Sequence, residues 1–250
     1  MKNIKSKVAI IGDIHSCVWQ LHSLLNQLGF YKTKDKGWIN TNNYFLISLG
    51  DLNDYRYHLH QDKASAVETI LTLIELQTKG WSITINSNHH NKLINYYKKT
   101  NSNVNLSSTK VSPGLRLTIN ELNNTSESLR DFILEWLSSC PYFYCFDLDK
   151  SYVCTHAFYA DWMLKESNLN KVKRLCLYGP RESNTLSSNP NDYWWNNLIK
   201  YPPQSKTIIC GHYHKEVYLD HAILIDGGAG EGGDLLAYLP HSRTTIRVPF

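Results

Sequence analysis

The chain has no C-x-x-C pair, no apolar run near the roughly 18 residues that a bilayer span requires, no heptad pattern and no internal repeat. These absences exclude a membrane-spanning protein, a coiled coil and a repeat array. The six cysteines, Cys17, Cys140, Cys145, Cys154, Cys176 and Cys210, are scattered, several within apolar strand-like runs, and are expected as buried free thiols. A surplus of positive charge is missing too. Lys plus Arg is 26 and Asp plus Glu is 22, a formal net charge of +4, too small for a dedicated polybasic nucleic-acid binder and compatible with acidic substrates. The N-terminal MKNIKSKVAIIGD begins basic, but its apolar stretch Val8-Ala9-Ile10-Ile11 is far shorter than a signal-peptide core of ~7–15 residues, so a cytoplasmic protein is expected.

The 250 residues are 42% hydrophobic and 19% charged, enough for a substantial core. Residues 7 to 11 form an apolar run ending at Gly12, and Val18, Leu21, Leu24, Leu25 and Leu28 then follow at helical spacing. The order recurs: strand-like Tyr44 to Leu49, helical Lys63 to Leu76, a third strand at Trp81 to Ile85, and a helix from near His90 through Leu93 and Tyr97. Alternation of this kind predicts an α/β first half with a largely parallel sheet. Residues 100–128 are rich in Asn, Ser and Thr around Pro113-Gly114 and suggest a surface excursion, and Leu129 to Leu137 reads as an amphipathic helix. Short strands follow at 143–148, 152–155, 207–210, 217–219, 223–225 and 235–239, with a polar connection containing Trp194-Trp195 at 181–206. Together these predict a single domain over 1–250, in which two packed sheets are flanked by helices.

Five segments place metal-ligand residue types directly after predicted strands: Gly12-Asp13-Ile14-His15, Gly50-Asp51-Leu52-Asn53-Asp54, Asn88-His89-His90, Thr155-His156 and Gly211-His212-Tyr213-His214. Any one alone carries little weight, because a strand-end histidine is commonly a solvated or core residue. Five in one α/β chain point further, since the carboxyl ends of such strands converge on one crevice. The residues nearest the strand ends supply two Asp, one Asn and four His, with no thiolate. That set suits Mn²⁺, Fe or Zn²⁺ at a catalytic centre rather than a closed structural zinc site. Seven ligands exceed what one such ion takes, and two ions sharing a carboxylate would use all of them.

In order and content the five segments resemble the GDxH, GDxxD, GNH, strand-end His and GHxH blocks of the calcineurin-like metallophosphoesterases. GDIHSCVWQLHSLLNQLGF is similar to the phosphoprotein-phosphatase branch, which holds phage and bacterial serine/threonine phosphatases, diadenosine tetraphosphatases and the phosphatase module of bacterial polynucleotide kinase-phosphatases. The resemblance implies a metallophosphoesterase-type sandwich of two mixed β-sheets flanked by helices. It implies Asp13, His15 and Asp51 as ligands of one metal, with Asp51 bridging, and Asn88, His156 and His212 as ligands of the second. His214 matches the wider superfamily pattern, in which this histidine joins the first metal. His89 matches the histidine that protonates the leaving group, and Asp54 its carboxylate partner; a carboxylate both orients an imidazole and raises its pKa. Arg181 resembles a phosphate-binding arginine, and a guanidinium can grip two phosphoryl oxygens at once.

The chain also departs from that pattern. Tyr55-Arg56 stands where the family has Arg-Gly, leaving either Arg56 as a phosphate clamp displaced by one position or the Tyr55 hydroxyl as a neutral donor. Ser16 and Ser87 replace glycines, and His90 replaces an acidic residue. His58 and His60 beside Arg56 read as exposed loop histidines, and Trp194-Trp195 as core or lid packing. The expected function is therefore a phosphatase dependent on two divalent ions, Mn²⁺ first, with Fe, Zn or Ni as alternatives. It would hydrolyse a phosphomonoester of a phosphoprotein, nucleotide or nucleic-acid end by in-line attack of metal-bound hydroxide, with no membrane and no stable protein partner implied. The alternatives are a phosphodiesterase or diadenosine tetraphosphate hydrolase on the same centre, or a degenerate, non-catalytic metal or phosphate binder.

Overall fold

The computed structural model describes residues 2, 3, 7–101, 111–180 and 205–250. Along the chain run β1 (Lys2–Asn3), β2 (Lys7–Ile11), α1 (Val18–Gln27), β3 (Phe30–Thr33), β4 (Gly37–Asn40), β5 (Tyr44–Ser48), α2 (Ala66–Thr78), β6 (Ser82–Thr84) and α3 (Asn88–Asn101). They are followed by α4 (Pro113–Asn123), α5 (Glu127–Ser139), β7 (Phe143–Asp147), β8 (Ser151–Thr155), α6 (Leu169–Tyr178), β9 (Thr207–Cys210), β10 (Glu216–Tyr218), β11 (Ala222–Ile225), β12 (Leu235–Leu239) and β13 (Thr244–Val248).

One sheet has the order β13-β12-β2-β5-β6 and the other β1-β7-β8-β9-β11-β10. In the first, β2, β5 and β6 are parallel, with Ala9 opposite Leu46 and Ile47 opposite Ile83, and β12 closes against β2 in the antiparallel sense. In the second, β8, β9 and β11 are parallel, with Thr155 opposite Cys210.

Side-chain alternation sets the layers. In β2, Val8 and Ile10 point to the second sheet, where they meet Tyr152, Cys154, Ile209, Ile223 and Ile225. Ala9 and Ile11 point the other way, into a core with Leu21, Leu24 and Leu25 of α1 and Ile70 and Leu73 of α2. The outer face of the second sheet, including Val153, Ile208 and Leu224, is covered by Val172, Leu175 and Cys176 of α6. A period of two with both faces buried produces the near-continuous apolar runs seen in the sequence. Each fully buried Ile or Leu contributes about 1.5–3 kcal/mol relative to exposure. The result is a helix–sheet–sheet–helix sandwich, the architecture expected.

Local chemistry fixes the helix starts. Ser65 Oγ accepts the Glu68 N–H at 2.9 Å, Ser112 Oγ accepts that of Leu115 at 3.3 Å, and Ser126 Oγ that of Leu129 at 3.2 Å. Pro113, at the first turn of α4, lacks an N–H that would have had no partner there. Of the cysteines, Cys17, Cys140, Cys154, Cys176 and Cys210 are buried, Cys145 is half-buried, and all six are free. Among the described residues no helix is long and apolar enough to cross a membrane.

The β3–β4 hairpin, β13 and α6 carry no expectation from the sequence. Within 100–128, residues 113–123 form α4, whose Leu115, Ile119 and Leu122 are buried against the main core. That part of the segment is therefore core-packed rather than a surface excursion. Residues 102–110, Arg181 and Trp194-Trp195 lie outside the described residues.

Candidate metal centre

The loops after β2, β5, β6, β9 and β11 meet at one edge of the sandwich and line a cavity of about 360 Å³, with His156, which follows β8, buried beside Asp51 and Asn88. The cavity lining includes Asp13, His15, Asp51, Asn88, His89, His212 and His214, together with Arg56, Lys92, Asp226 and Glu231. One ligand atom each from Asp13, Asp51 and His156 lie within 4.8 Å of one another. Asp51 Oδ2 is central, 3.5 Å from both His15 Nε2 and His156 Nε2. Asn88 Oδ1 stands 2.9 Å from His156 Nε2, and the ring centroids of His156 and His212 are 4.9 Å apart.

The far nitrogens of these rings are anchored on backbone. His15 Nδ1 faces Asn53 O at 3.0 Å and His156 Nδ1 faces Leu49 O at 2.9 Å, so both Nδ1 atoms carry the proton. Each Nε2 is thereby left as the nitrogen on the Asp51 side, the one available for metal ligation. Six of the seven expected ligands, Asp13, His15, Asp51, Asn88, His156 and His212, are gathered in this way. His214 stands at the rim, its side chain 53% exposed and its Nδ1 3.6 Å from Glu231 Oε2, while its backbone N–H donates to Asp226 Oδ2 at 2.7 Å.

The donor set fits divalent cations. Asp13 Oδ1 is buried without a hydrogen-bond partner, whereas Asp13 Oδ2 accepts the His212 N–H at 3.0 Å. Burial, then the charges of Asp226 and Asp51, push the Asp13 carboxyl well above its ordinary value. Asp51 moves the opposite way: burial would raise it, but His156, His89 and His15 outweigh burial and hold it well below the carboxylate range. Carboxylates packed this closely call for a countercharge, which a cation on Asp13 and Asp51 would provide. Burial, followed by His156, lowers the His212 pKa to about 3, leaving a neutral donor.

The backbone is strained to achieve this. His15, Ser16, Asp51, Asp54, His212 and His214 all have positive φ, between 45° and 76°. Ser16, where the family has glycine, adopts φ 63° all the same. Gly50, at φ 101°, has no room for a side chain, since a Cβ there would stand 2.7 Å from Ser87 Cβ. Ser87 is buried and its Oγ accepts the His90 N–H at 3.3 Å. His90, fully buried, accepts the Leu52 N–H on Nε2 at 3.2 Å and so braces the Asp51 loop.

His89 Nδ1 lies 2.5 Å from Asp54 Oδ2. Burial lowers the His89 pKa, with Asp51 and Asp54 acting against it. Ser112 Oγ reaches both Asp54 oxygens, at 3.2 and 3.3 Å, and Thr118 Oγ1 accepts the Asp54 N–H at 3.2 Å. These α4 contacts were invisible in the sequence, where nothing but low complexity marked the segment. Arg56 Nη2 is 2.7 Å from His89 Nε2, and Nη1 is 2.7 Å from Glu231 Oε1. Tyr55 is buried with its hydroxyl donated to Leu59 O, so of the two donors the sequence left open, Arg56 faces the site. His58 and His60 are exposed, as expected, with His60 packed against Trp19 and Phe250. Lys92, Asp226 and Glu231 were missed; Lys92 lies one helical turn after His89, the single signal that could have found it.

Residues 6–231 match the sequence model of the family described as calcineurin-like phosphoesterase. A bis(5'-nucleosyl)-tetraphosphatase (asymmetrical) of Halalkalibacterium halodurans is 26% identical, with 91% of this chain and 87% of the relative covered. Its namesake from Bacillus thuringiensis (strain Al Hakam) is 24% identical over 97% and 94%. Among solved structures, a protein provisionally assigned as a diadenosine tetraphosphatase superposes with TM-score 0.56 at 19% identity, covering 100% of this chain and 96% of that one. A serine/threonine phosphatase of Saccharomyces cerevisiae similar to human PP5 gives TM-score 0.54 at 12% identity, over 99% and 81%. Both structures share the sandwich.

Proposed function

The chain belongs to the calcineurin-like phosphoesterase family and is a metal-dependent phosphoric ester hydrolase, and from that premise we propose that it hydrolyses a nucleotide phosphate, with a dinucleoside polyphosphate as substrate. The observation that carries this reading is one cavity lined both by Asp13 and Asp51, which cluster with the buried His156, and by His89, which is backed by the buried Asp54. The names of the relatives support the nucleotide part.

Asp13, His15, Asp51, Asn88, His156 and His212 would hold two divalent ions, Mn²⁺ first among them, with His214 joining from the rim. When bound, the pair would lower the pKa of water toward neutrality and draw charge from phosphoryl oxygens. The chain supplies the rest. Asp54, fixed by Ser112 and Thr118, keeps the His89 proton on Nδ1 and the ring in one orientation. His89 Nε2 faces the cavity; protonated on both nitrogens, the form that Asp51 and Asp54 favour, the ring would hand its Nε2 proton to the departing oxygen once substrate draws Arg56 away. Arg56 offers a planar fork for phosphoryl oxygens. The enzyme would work in the cytoplasm on a phosphorylated substrate.

The test uses protein stripped of metal and resupplied with Mn²⁺, Ni²⁺, Zn²⁺ or Mg²⁺. P1,P4-di(5'-adenosyl) tetraphosphate, p-nitrophenyl phosphate and bis-p-nitrophenyl phosphate are compared. Metal-restored cleavage of the tetraphosphate is expected. Cleavage of the monoester alone would return the substrate to a phosphoprotein or nucleic-acid end, preference for the bis-ester would make it a phosphodiesterase, and silence with every ion would leave a metal or phosphate binder.

A further inference from the structure

Two cations flank the nitrogen assigned to the leaving group. Arg56 Nη2 is 2.7 Å and Lys92 Nζ 3.4 Å from His89 Nε2. They are held differently. Arg56 is pinned: Nη1 meets Glu231 Oε1 at 2.7 Å, Nε lies 3.8 Å from Asp54 Oδ1, and the N–H groups of Arg56 and Tyr57 both donate to Gly230 O at 2.9 Å. The loop carrying Glu231 and the loop carrying Arg56 therefore form one unit. Lys92 is exposed on α3, and among the described residues no carboxylate is paired with its ammonium. An unneutralised ammonium at the wall of a cavity is a ready site for an anion.

We propose that Arg56 and Lys92, with Glu231 positioning Arg56, form a subsite for a phosphate on the leaving-group side, so that the bond cleaved is a phosphoanhydride rather than an alkyl phosphate ester. This rests on the reading of His89 as the group facing the departing oxygen. In the reaction the oxygen of water bonds to the attacked phosphorus, the bridging P–O bond breaks, and its electron pair stays on the bridging oxygen of the leaving phosphate. One water is consumed, and its protons balance the two phosphate products. An alkoxide leaving group chiefly needs a proton, and cations add little before its bond breaks. A phosphate leaving group already carries charge on its non-bridging oxygens, and a fork and an ammonium set within one hydrogen-bond length of the same nitrogen match it. A clamp on the transferred phosphoryl group would instead serve every substrate equally.

The experiment compares kcat/KM of the Mn²⁺-loaded protein and its Lys92→Met variant on P1,P4-di(5'-adenosyl) tetraphosphate and p-nitrophenyl phosphate. Calorimetric titration with tripolyphosphate and with orthophosphate is run beside it. Lys92→Met is expected to lower the tetraphosphate-to-p-nitrophenyl ratio about tenfold, roughly the value of one charge-assisted contact, and to weaken tripolyphosphate binding more than orthophosphate binding. Glu231→Gln should shift the ratio the same way, about threefold and through KM, because it loosens Arg56 without removing it. Equal losses on both substrates would overturn the proposal and make these cations a clamp on the transferred group. An unchanged ratio with unchanged tripolyphosphate binding would overturn it also. A wild-type protein that hydrolyses nothing but binds tripolyphosphate through Lys92 would sink the catalytic reading while keeping the anion site.

Discussion

On the Asp51 side of the cavity the polar groups sit at strand ends and are nearly sealed: Asp13, His15, Asp51, Asn88 and His156 are each 7% exposed or less. On the opposite wall the side chains of Arg56, Glu231 and His214 are 40%, 34% and 53% exposed and come from loops. Short side chains on rigid strands hold positions within a few tenths of an ångström, which bond-making requires; long ones in solvent adjust to whatever arrives. The division teaches where to look for each property, with the reaction written into the strand ends and the choice of substrate into the rim.

The comparison breaks most sharply at Asp51. Asp51→Asn should abolish metal-dependent hydrolysis, with a loss beyond the roughly 10–100-fold that follows from removing a mere supporter of a metal ligand; calorimetric metal titration with an activity assay reads both effects. Should that variant keep full activity, the buried side is not the reacting side. His89→Ala is expected to lower kcat by about 10²–10⁴-fold while metal binding persists, since His89 faces the cavity but is not counted among the ligands. Ser112→Ala should cost less, several-fold in kcat and about 1 kcal/mol of stability, because it removes both the α4 cap and the tether on Asp54.

A fourth prediction separates bracing from binding. His90 is pushed from 6.5 to about 3 by burial, with Asp51 acting against it and His156, His89 and His15 adding to it. The unfolded chain thus takes up this proton first, and the fold loses stability as pH falls from about 6.5 toward 3. His90→Gln keeps an acceptor for the Leu52 N–H without the titration, so urea unfolding at pH 5 and 7.5 should differ less in the variant than in the parent. The smallest effect is Ser16→Gly, expected to add up to about 1 kcal/mol by relieving φ 63°, read as a rise in melting temperature; a fall would show that the Ser16 side chain contributes more than its backbone costs.

The sandwich was legible because its central strands are buried on both faces. Val8 to Ile11 and Ile208 to Cys210 read as continuous apolar runs, and Leu21, Leu24, Leu25 and Leu28 mark α1 by spacing alone. Elements at the margin were hidden. The helix α6 carries Lys171, Lys173 and Arg174 among its apolar residues, and β13 has one buried residue, Val248, among half-buried and exposed ones without regular alternation. Both borrow stability from tertiary packing rather than local pattern. The site divides likewise. Asp13, His15, Asp51, Asn88, His156 and His212 stand in spaced blocks after strands, whereas Lys92, Ser112, Asp226 and Glu231 are single residues whose meaning comes from what folds against them.

The two sheets touch through one apolar layer and no disulfide crosses between them. Asp13, His15, Asp51 and Asn88 follow strands of one sheet, His156 and His212 strands of the other. An ion gripped from both sides would therefore act as a staple as well as a reagent. It binds only the assembled sandwich, so at a free concentration 100 times its dissociation constant it would add about 2.7 kcal/mol to folding. The melting temperature would then become a titration curve for the metal, and a chelator would act as a denaturant by pulling a rivet from the seam.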